Sequence, residues 1–378
     1  MMAPQRQLIS IDVNAGVAME SQSGLQNLRP RIYGALAVPQ NDSKRVATLV
    51  MHPTSNFMGH YLLDALASRG VACLALNSRY VGNDALLLME QVIKDLGAGV
   101  KWLRQQGYKQ VVLIGNSGGA ALMSFYQAQA ESLTAVEYPD GLPTHLAADD
   151  LPPADGLIFS AAHAGRSRLL AQWLDPSVLD ESDPLAADPL WDIYAEGAGA
   201  TFTPEYVTEF RKAQLRRRDR IQDWVLYRLR LLRANPDGPQ DQTFLVYRTH
   251  ADPRFIDLSV DANDRALGSI WGDAKTVNYA ANAMGRFNTL RSWLSQWSSL
   301  SQADGPDNLA RTSVPTLLMV HTADASTFPS TAQEWQAAGE NRLTSIKVKG
   351  GTHYLFNQPE LVTFSADAFK DWVDRLRS

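Results

Sequence analysis

The feature that most constrains this chain is a row of short, unbroken apolar runs, each the length of one strand, separated by stretches of helical period. Val46–His52, Val71–Leu76, Gln110–Ile114 and Gly156–Ala161 are such runs. An apolar run without polar alternation suits a strand buried on both faces, and parallel strands joined by covering helices are the arrangement that buries both. Helices are predicted between them, over about Met58–Ser68 with Gly70 as its stop, and over Ala85–Gln105 ending at Gly107. Leu8–Val13 and Arg31–Val38 alternate in polarity instead, which predicts an antiparallel edge pair joined through a Gly- and Asn-containing stretch.

The regular pattern fades near Gly165 and returns at Val314–Val320, Leu343–Val348 and a closing amphipathic helix over Glu360–Leu376. Between them, helical periodicity, arginine, tryptophan and long polar connections take over. The expected organisation is therefore a discontinuous α/β core, residues 1–162 and 312–378, carrying a mainly helical cap over 163–311.

Charge narrows the partners. The chain of 378 residues has 35 basic and 40 acidic residues, a formal charge of -5, mixed along its length. This mixture gives no electrostatic footprint for a polyanion such as nucleic acid, and a small-molecule partner is expected, with a homodimer left open. A single cysteine, Cys73, forbids an internal disulfide and a thiolate metal cluster, and its mid-strand position reads as buried and inert. Charged and polar residues interrupt Met1–Gly16 where an export signal needs an apolar stretch, and no run approaches a membrane span, so a cytoplasmic protein without membrane contact is expected.

The strongest local signal is Gly115-Asn116-Ser117-Gly118-Gly119, a G-x-S-x-G sequence after a predicted strand and before a predicted helix. A tight turn with an incidental serine would explain the letters alone. The strand-to-helix context favours a nucleophile at a strained corner, flanked by residues small enough for strand and helix to approach.

A serine hydroxyl is a weak nucleophile and needs a base, usually an imidazole oriented by a carboxylate. His353 follows the last predicted strand in Gly350-Gly351-Thr352-His353, and Asp324 follows Val314–Val320 in His321-Thr322-Ala323-Asp324. Loop histidines and aspartates are ordinarily just solvated; the order Ser…Asp…His, each member after a strand, is the informative part. The oxyanion of a tetrahedral intermediate needs two N–H donors. Gly118 is expected to give one. The loop after Val46–His52 gives the other, from Thr54 with Ser55 as runner-up, because Pro53 has no N–H.

With these residues in view the chain resembles the α/β-hydrolase family, over roughly residues 1–162 and 312–378. The resemblance implies an eight-stranded, mostly parallel sheet, a Ser-Asp-His triad and no cofactor. One departure stands out: the family's His-Gly in the oxyanion loop is His52-Pro53 here. A serine at the elbow also sets the chain apart from the aspartate-nucleophile branches of the fold.

Six of the nine tryptophans fall in the inserted segment: Trp173, Trp191, Trp224, Trp271, Trp293 and Trp297. An aromatic cap suggests a bulky apolar or aromatic substrate, although the rings can equally form the cap's own core. Ser55, His163 and Trp271 are candidate substrate contacts. The run Arg211, Lys212, Arg216, Arg217, Arg218, Arg220 reads as a solvated helix face, and the carboxylates from Asp252 to Asp264 read as ion-paired rather than metal-binding. Together these readings predict a serine hydrolase of carboxylic esters. The alternatives are a carbon-carbon bond hydrolase, lactonase or thioesterase with the same triad, and a non-catalytic small-molecule-binding protein.

Overall fold

A computed structural model describes residues 4–13 and 30–376. The connection read between the first two strands lies outside these residues. Eight strands form one sheet: β1 (Gln5–Asp12), β2 (Arg31–Val38), β3 (Val46–His52), β4 (Ala72–Asn77), β5 (Gln110–Asn116), β6 (Gly156–Ser160), β11 (Thr316–His321) and β12 (Leu343–Val348), in the order β1-β2-β4-β3-β5-β6-β11-β12. The β1–β2 and β2–β4 pairs are antiparallel and the others parallel. This is the α/β-hydrolase sheet.

Strand period explains how the apolar runs are used. Leu49, Met51, Leu74, Leu76, Leu113, Leu157 and Phe159 face one side, and Val50, Cys73, Ala75, Val112, Ile114 and Ile158 face the other. Helices α2 (Met89–Gln105), α3 (Gly119–Glu131) and α9 (Pro329–Gly339) cover the first face, and α1 (Leu62–Ala67) and α10 (Pro359–Arg375) the second. Cys73 is fully buried, and desolvation pushes its thiol up to about 12. The exposed edge strand β1 is polar and ion-paired, Arg31 Nε donating to Asp12 Oδ1 at 2.6 Å, which blunts the edge against further pairing.

Between β6 and β11 lies the insertion expected as a cap. It holds α4 (Arg166–Trp173), a β7–β8 hairpin (Val178–Asp180, Asp183–Ala187), the long α5 (Pro204–Arg233), a β9–β10 pair (Thr243–Leu245, Phe287–Thr289), α6 (Ala274–Tyr279), α7 (Leu290–Gln296) and α8 (Gly305–Leu309). Thr203 caps α5 by accepting from Tyr206 N, with Pro204 in the first turn. Two apolar clusters hold this region, one around Trp293 and Trp297, the other around Trp173, Phe210 and Phe255. Trp224 and Trp271 are instead 40% and 44% exposed. Ala303 and Leu309 pack into the sheet's own cluster, so core packing resumes inside the stretch 163–311. No helix among the described residues is long and apolar enough to cross a membrane.

The arginine run on α5 corrects the solvated-face reading. Lys212, Arg216 and Arg220 are exposed, but Arg217 is buried, its Nε and Nη2 on Glu181 at 2.9 and 2.7 Å. Arg211 pairs with buried Asp252 at 2.7 Å. Helical spacing turns these two inward, where carboxylates distant in sequence receive them. Asp252 also takes Arg254, at 2.6 Å, and together the arginines outweigh the desolvation of that carboxyl and lower its pKa.

Candidate active site

Ser117 sits at the corner between β5 and α3 with φ 58°, a left-handed conformation that costs a non-glycine residue on the order of 1–3 kcal/mol. Its neighbours show why the corner is glycine-rich. A Cβ on Gly115 would stand 2.4 Å from Ala120 Cα, and one on Gly119 would stand 2.5 Å from Met51 O. Backbone bonds clamp the turn: Ser117 N donates to Ser160 O at 3.1 Å, and Ser117 O accepts from Ala120 N and His163 N. Asn116 is buried, its Nδ2 on Ser160 O at 3.0 Å.

The structure brings the three residues distant in sequence together. His353 Nε2 lies 2.9 Å from Ser117 Oγ, and His353 Nδ1 lies 2.7 Å from Asp324 Oδ2. Asp324 is fully buried just beyond β11, and Ser326 N and Thr327 N donate to its Oδ1 at 2.7 and 3.1 Å. Burial alone would raise this carboxyl, but His353 and Thr327 bring it to about 2, so it stays a carboxylate. Because a carboxylate accepts, the His353 Nδ1 carries the proton and Nε2 offers its lone pair to the serine.

Residues that sequence reasoning did not assign surround these three. His321 bridges the end of β11 to the histidine loop. Its Nδ1 lies 2.7 Å from Thr352 O and must donate there, so Nε2 accepts from Ser160 Oγ at 3.0 Å. Tyr354 packs edge-on against His353, ring centroids 4.5 Å apart. The only signal for either was its position near Asp324 or His353 in the sequence.

The expected substrate contacts divide. His163 lies close by: its ring is 5.2 Å from that of His353, its Nε2 is 3.1 Å from Ser326 Oγ, and burial lowers its pKa to about 3, so it is neutral. Trp271 connects to this group through other rings, 5.5 Å from Trp173, which is 6.3 Å from His163. Ser55 is exposed and turns its N–H onto the ring of His52, Nδ1 at 2.9 Å.

Thr54 requires a correction to the oxyanion expectation. Its N–H also donates to His52 Nδ1, at 3.2 Å, its carbonyl accepts from Gly82 N, and its Oγ1 accepts from Arg166 Nη2 at 3.0 Å. After Pro53, the loop closes back on the preceding side chain, so the donor expected to face the serine is already engaged. Gly118 differs: no acceptor for its N–H lies among the described residues. Burial, then the charge of Arg166, hold the His52 ring well below the usual imidazole range, hence neutral. A cavity of about 630 Å³, bordered by Phe57, His60, Asn116, Tyr354 and Phe356, opens beside the elbow.

Comparisons agree with this architecture. A model of the Alpha/beta hydrolase family matches residues 49–363. No curated protein matches the chain. Among solved structures the chain is similar to a highly thermostable carboxyl esterase from Bacillus coagulans in complex with glycerol, at 12% identity and TM-score 0.50, over 100% of this chain and 99% of that one. It is also similar to the esterase domain of a Rhodothermus marinus protein, at 13% identity and TM-score 0.48, over 98% of each chain. The likeness to the Bacillus coagulans esterase speaks to the fold alone. The family match runs from β3 through the histidine loop into α10, and the chain belongs to the alpha/beta hydrolase family.

Proposed function

We propose that the protein is a serine hydrolase that cleaves a carboxylic ester of a bulky apolar or aromatic small molecule through an acyl-enzyme. The observation that carries this reading is the relay from Asp324 through His353 to Ser117, at 2.7 and 2.9 Å, with the serine held at a strained corner. A protein that only bound small molecules would have no use for that strain.

In the proposed reaction His353 Nε2 takes the Ser117 proton as Oγ attacks the ester carbonyl carbon. Asp324 stabilises the imidazolium that forms, and the Gly118 N–H donates to the carbonyl oxygen as it becomes negative. The imidazolium then protonates the departing alkoxide, leaving Ser117 acylated. A water enters, gives its proton to His353 and attacks the acyl carbon; return of that proton to Oγ frees the acid and restores the serine. The half-exposed ring of Trp271, packed on the buried Trp173, supports an apolar or aromatic substrate.

Ser117→Ala is expected to lower kcat on activated aryl esters by roughly three to six orders of magnitude with the fold intact. Labelling by a fluorophosphonate should disappear in the same variant. Retention of most activity by folded Ser117→Ala would refute the reading.

A further inference from the structure

We infer that the His52 side chain supplies the second oxyanion donor, its Nε2–H acting beside the Gly118 N–H on the oxygen of the tetrahedral intermediate. The inference rests on the serine-hydrolase reading above and names a residue which that reading leaves open.

Three observations converge on it. The first fixes the proton. Thr54 N and Ser55 N approach His52 Nδ1 at 3.2 and 2.9 Å, and a backbone N–H can only donate. Nδ1 therefore carries a lone pair, and in the neutral ring the hydrogen is on Nε2. Two donors facing Nδ1 also oppose its protonation, so the ring keeps this tautomer. The second is that the Nε2–H has no partner among the described residues. A polar hydrogen without a protein acceptor in a partly enclosed site is available to a ligand atom.

The third is place. The position a Cβ on Gly118 would occupy is 2.9 Å from His52 Nε2, against 3.5 Å to Cδ2 and 3.8 Å to Cε1, so Nε2 is the ring atom nearest that face of Gly118. A side chain at 118 would compete with the imidazole for this space, which gives the glycine immediately after the nucleophile a purpose beyond the turn. The same geometry explains Pro53. A peptide N–H at 53 or 54 is not required when the donor comes from the side chain at 52. Thr54 instead anchors the ring, tied to Gly82 N through its carbonyl and to Arg166 through its hydroxyl.

The test separates the two ring nitrogens. Asn carries an acceptor near the place of Nδ1, so His52→Asn can hold the Thr54 and Ser55 N–H groups while removing the donor that faces Gly118. Gln carries its amide near the place of Nε2, so His52→Gln can return a donor. With an activated aryl ester, His52→Asn is expected to lower kcat by about 10²–10³-fold with KM changed less than about threefold. It should weaken inhibition by a trifluoromethyl ketone, whose hemiketal oxygen mimics the oxyanion, by a similar factor. His52→Gln should recover at least about tenfold of both.

A merely structural role would move KM and thermal stability rather than track the ketone. Wild-type kcat in His52→Asn, or equal losses in the Asn and Gln variants, would overturn the inference while the collapse of activity in Ser117→Ala still supports the serine mechanism. Full activity in Ser117→Ala would overturn both.

Discussion

The sheet and the inserted cap are both well packed, but they solve the problem of buried backbone by opposite means. In the sheet each buried strand finds its hydrogen bonds in the neighbouring ladder, so its side chains are free to be apolar: the residues of β3 from Val46 to Met51, and all of β4, are buried. Outside its two short strand pairs the cap has long irregular connections, and there arginines take over that task. Arg217 Nη1 donates to Asp175 O and Arg248 O, and its Nη2 to Tyr247 O. Arg265 reaches the carbonyls of Arg254, Asp257, Val260 and Asp261, and Arg286 those of Val246, Asn278 and Ala280. A guanidinium has donors in a fixed fork, suited to collecting carbonyls from several loops at once. Carboxylates then balance the charge, as Asp175 does for Arg248 at 2.8 Å.

Under the proposed function this contrast assigns the chemistry to the ends of the sheet strands and leaves the inserted stretch to shape access. The largest expected effect tests that division. Asp324→Asn, at the end of β11, should lower kcat by about 10⁴-fold, because an amide can present its NH₂ to His353 Nδ1 and favour the tautomer with its hydrogen on Nε2. Little stability should be lost with it. A variant with kcat within about tenfold of wild type would deny Asp324 the orienting role.

Two substitutions then probe the regions directly. Arg217→Met removes the donor fork from the cap and should cost about 3–5 kcal/mol there, as breaking a buried ionic network does. The loss should appear as protease cleavage and fast amide exchange near 175–181 and 246–249, with the sheet still protected. Leu113→Ala, in the middle of β5, should cost about 2–5 kcal/mol and weaken the whole sheet together. If Arg217→Met left exchange in the cap unchanged, the buried arginines would not be what holds its loops.

The same contrast explains what could be read from letters alone. β2, β3 and β12 fall on their expected ranges because period 2 and two-sided burial leave a local mark. Helix starts were less legible. α2 begins at Met89 rather than Ala85, because Ala85–Leu88 are used elsewhere: Asn83 Oδ1 accepts from Ala85 N, Ala85 O accepts from Thr289 N of β10, and Leu88 is extended. Leu86 and Leu87 look like part of a helical stripe, but tertiary packing accounts for them. The partners of Arg217 and Arg211 are likewise invisible locally, since Glu181 and Asp252 lie tens of residues away. At the site, the order of Ser117, Asp324 and His353 was legible because each follows a strand. The turning of Thr54 onto His52 was not, because Pro53 announces a missing N–H but not where the next one goes.

The smallest expected effect lies where the two regions meet. Glu90, on α2 in the core, is fully buried and accepts from Ser295 Oγ of α7 in the cap at 2.7 Å, with Gln302 Nε2 at 3.4 Å. Desolvation raises its carboxyl to about 7; Asp140 adds to the rise, while the bond from Ser295 and the charge of Arg291 oppose it. A carboxyl raised on folding binds its proton more tightly in the folded chain than in the unfolded one. Its stabilising contribution is therefore complete below the unfolded value near 4.5 and is lost as pH rises toward and through 7. Thermal unfolding between pH 5 and 8 should show this as a decline on the order of 2–3 kcal/mol over that range. Glu90→Gln, which keeps a polar group toward Ser295 and cannot ionise, should flatten the decline and be the more stable protein at pH 8. A Glu90→Gln profile parallel to wild type would mean that the contact between core and cap does not sense this proton.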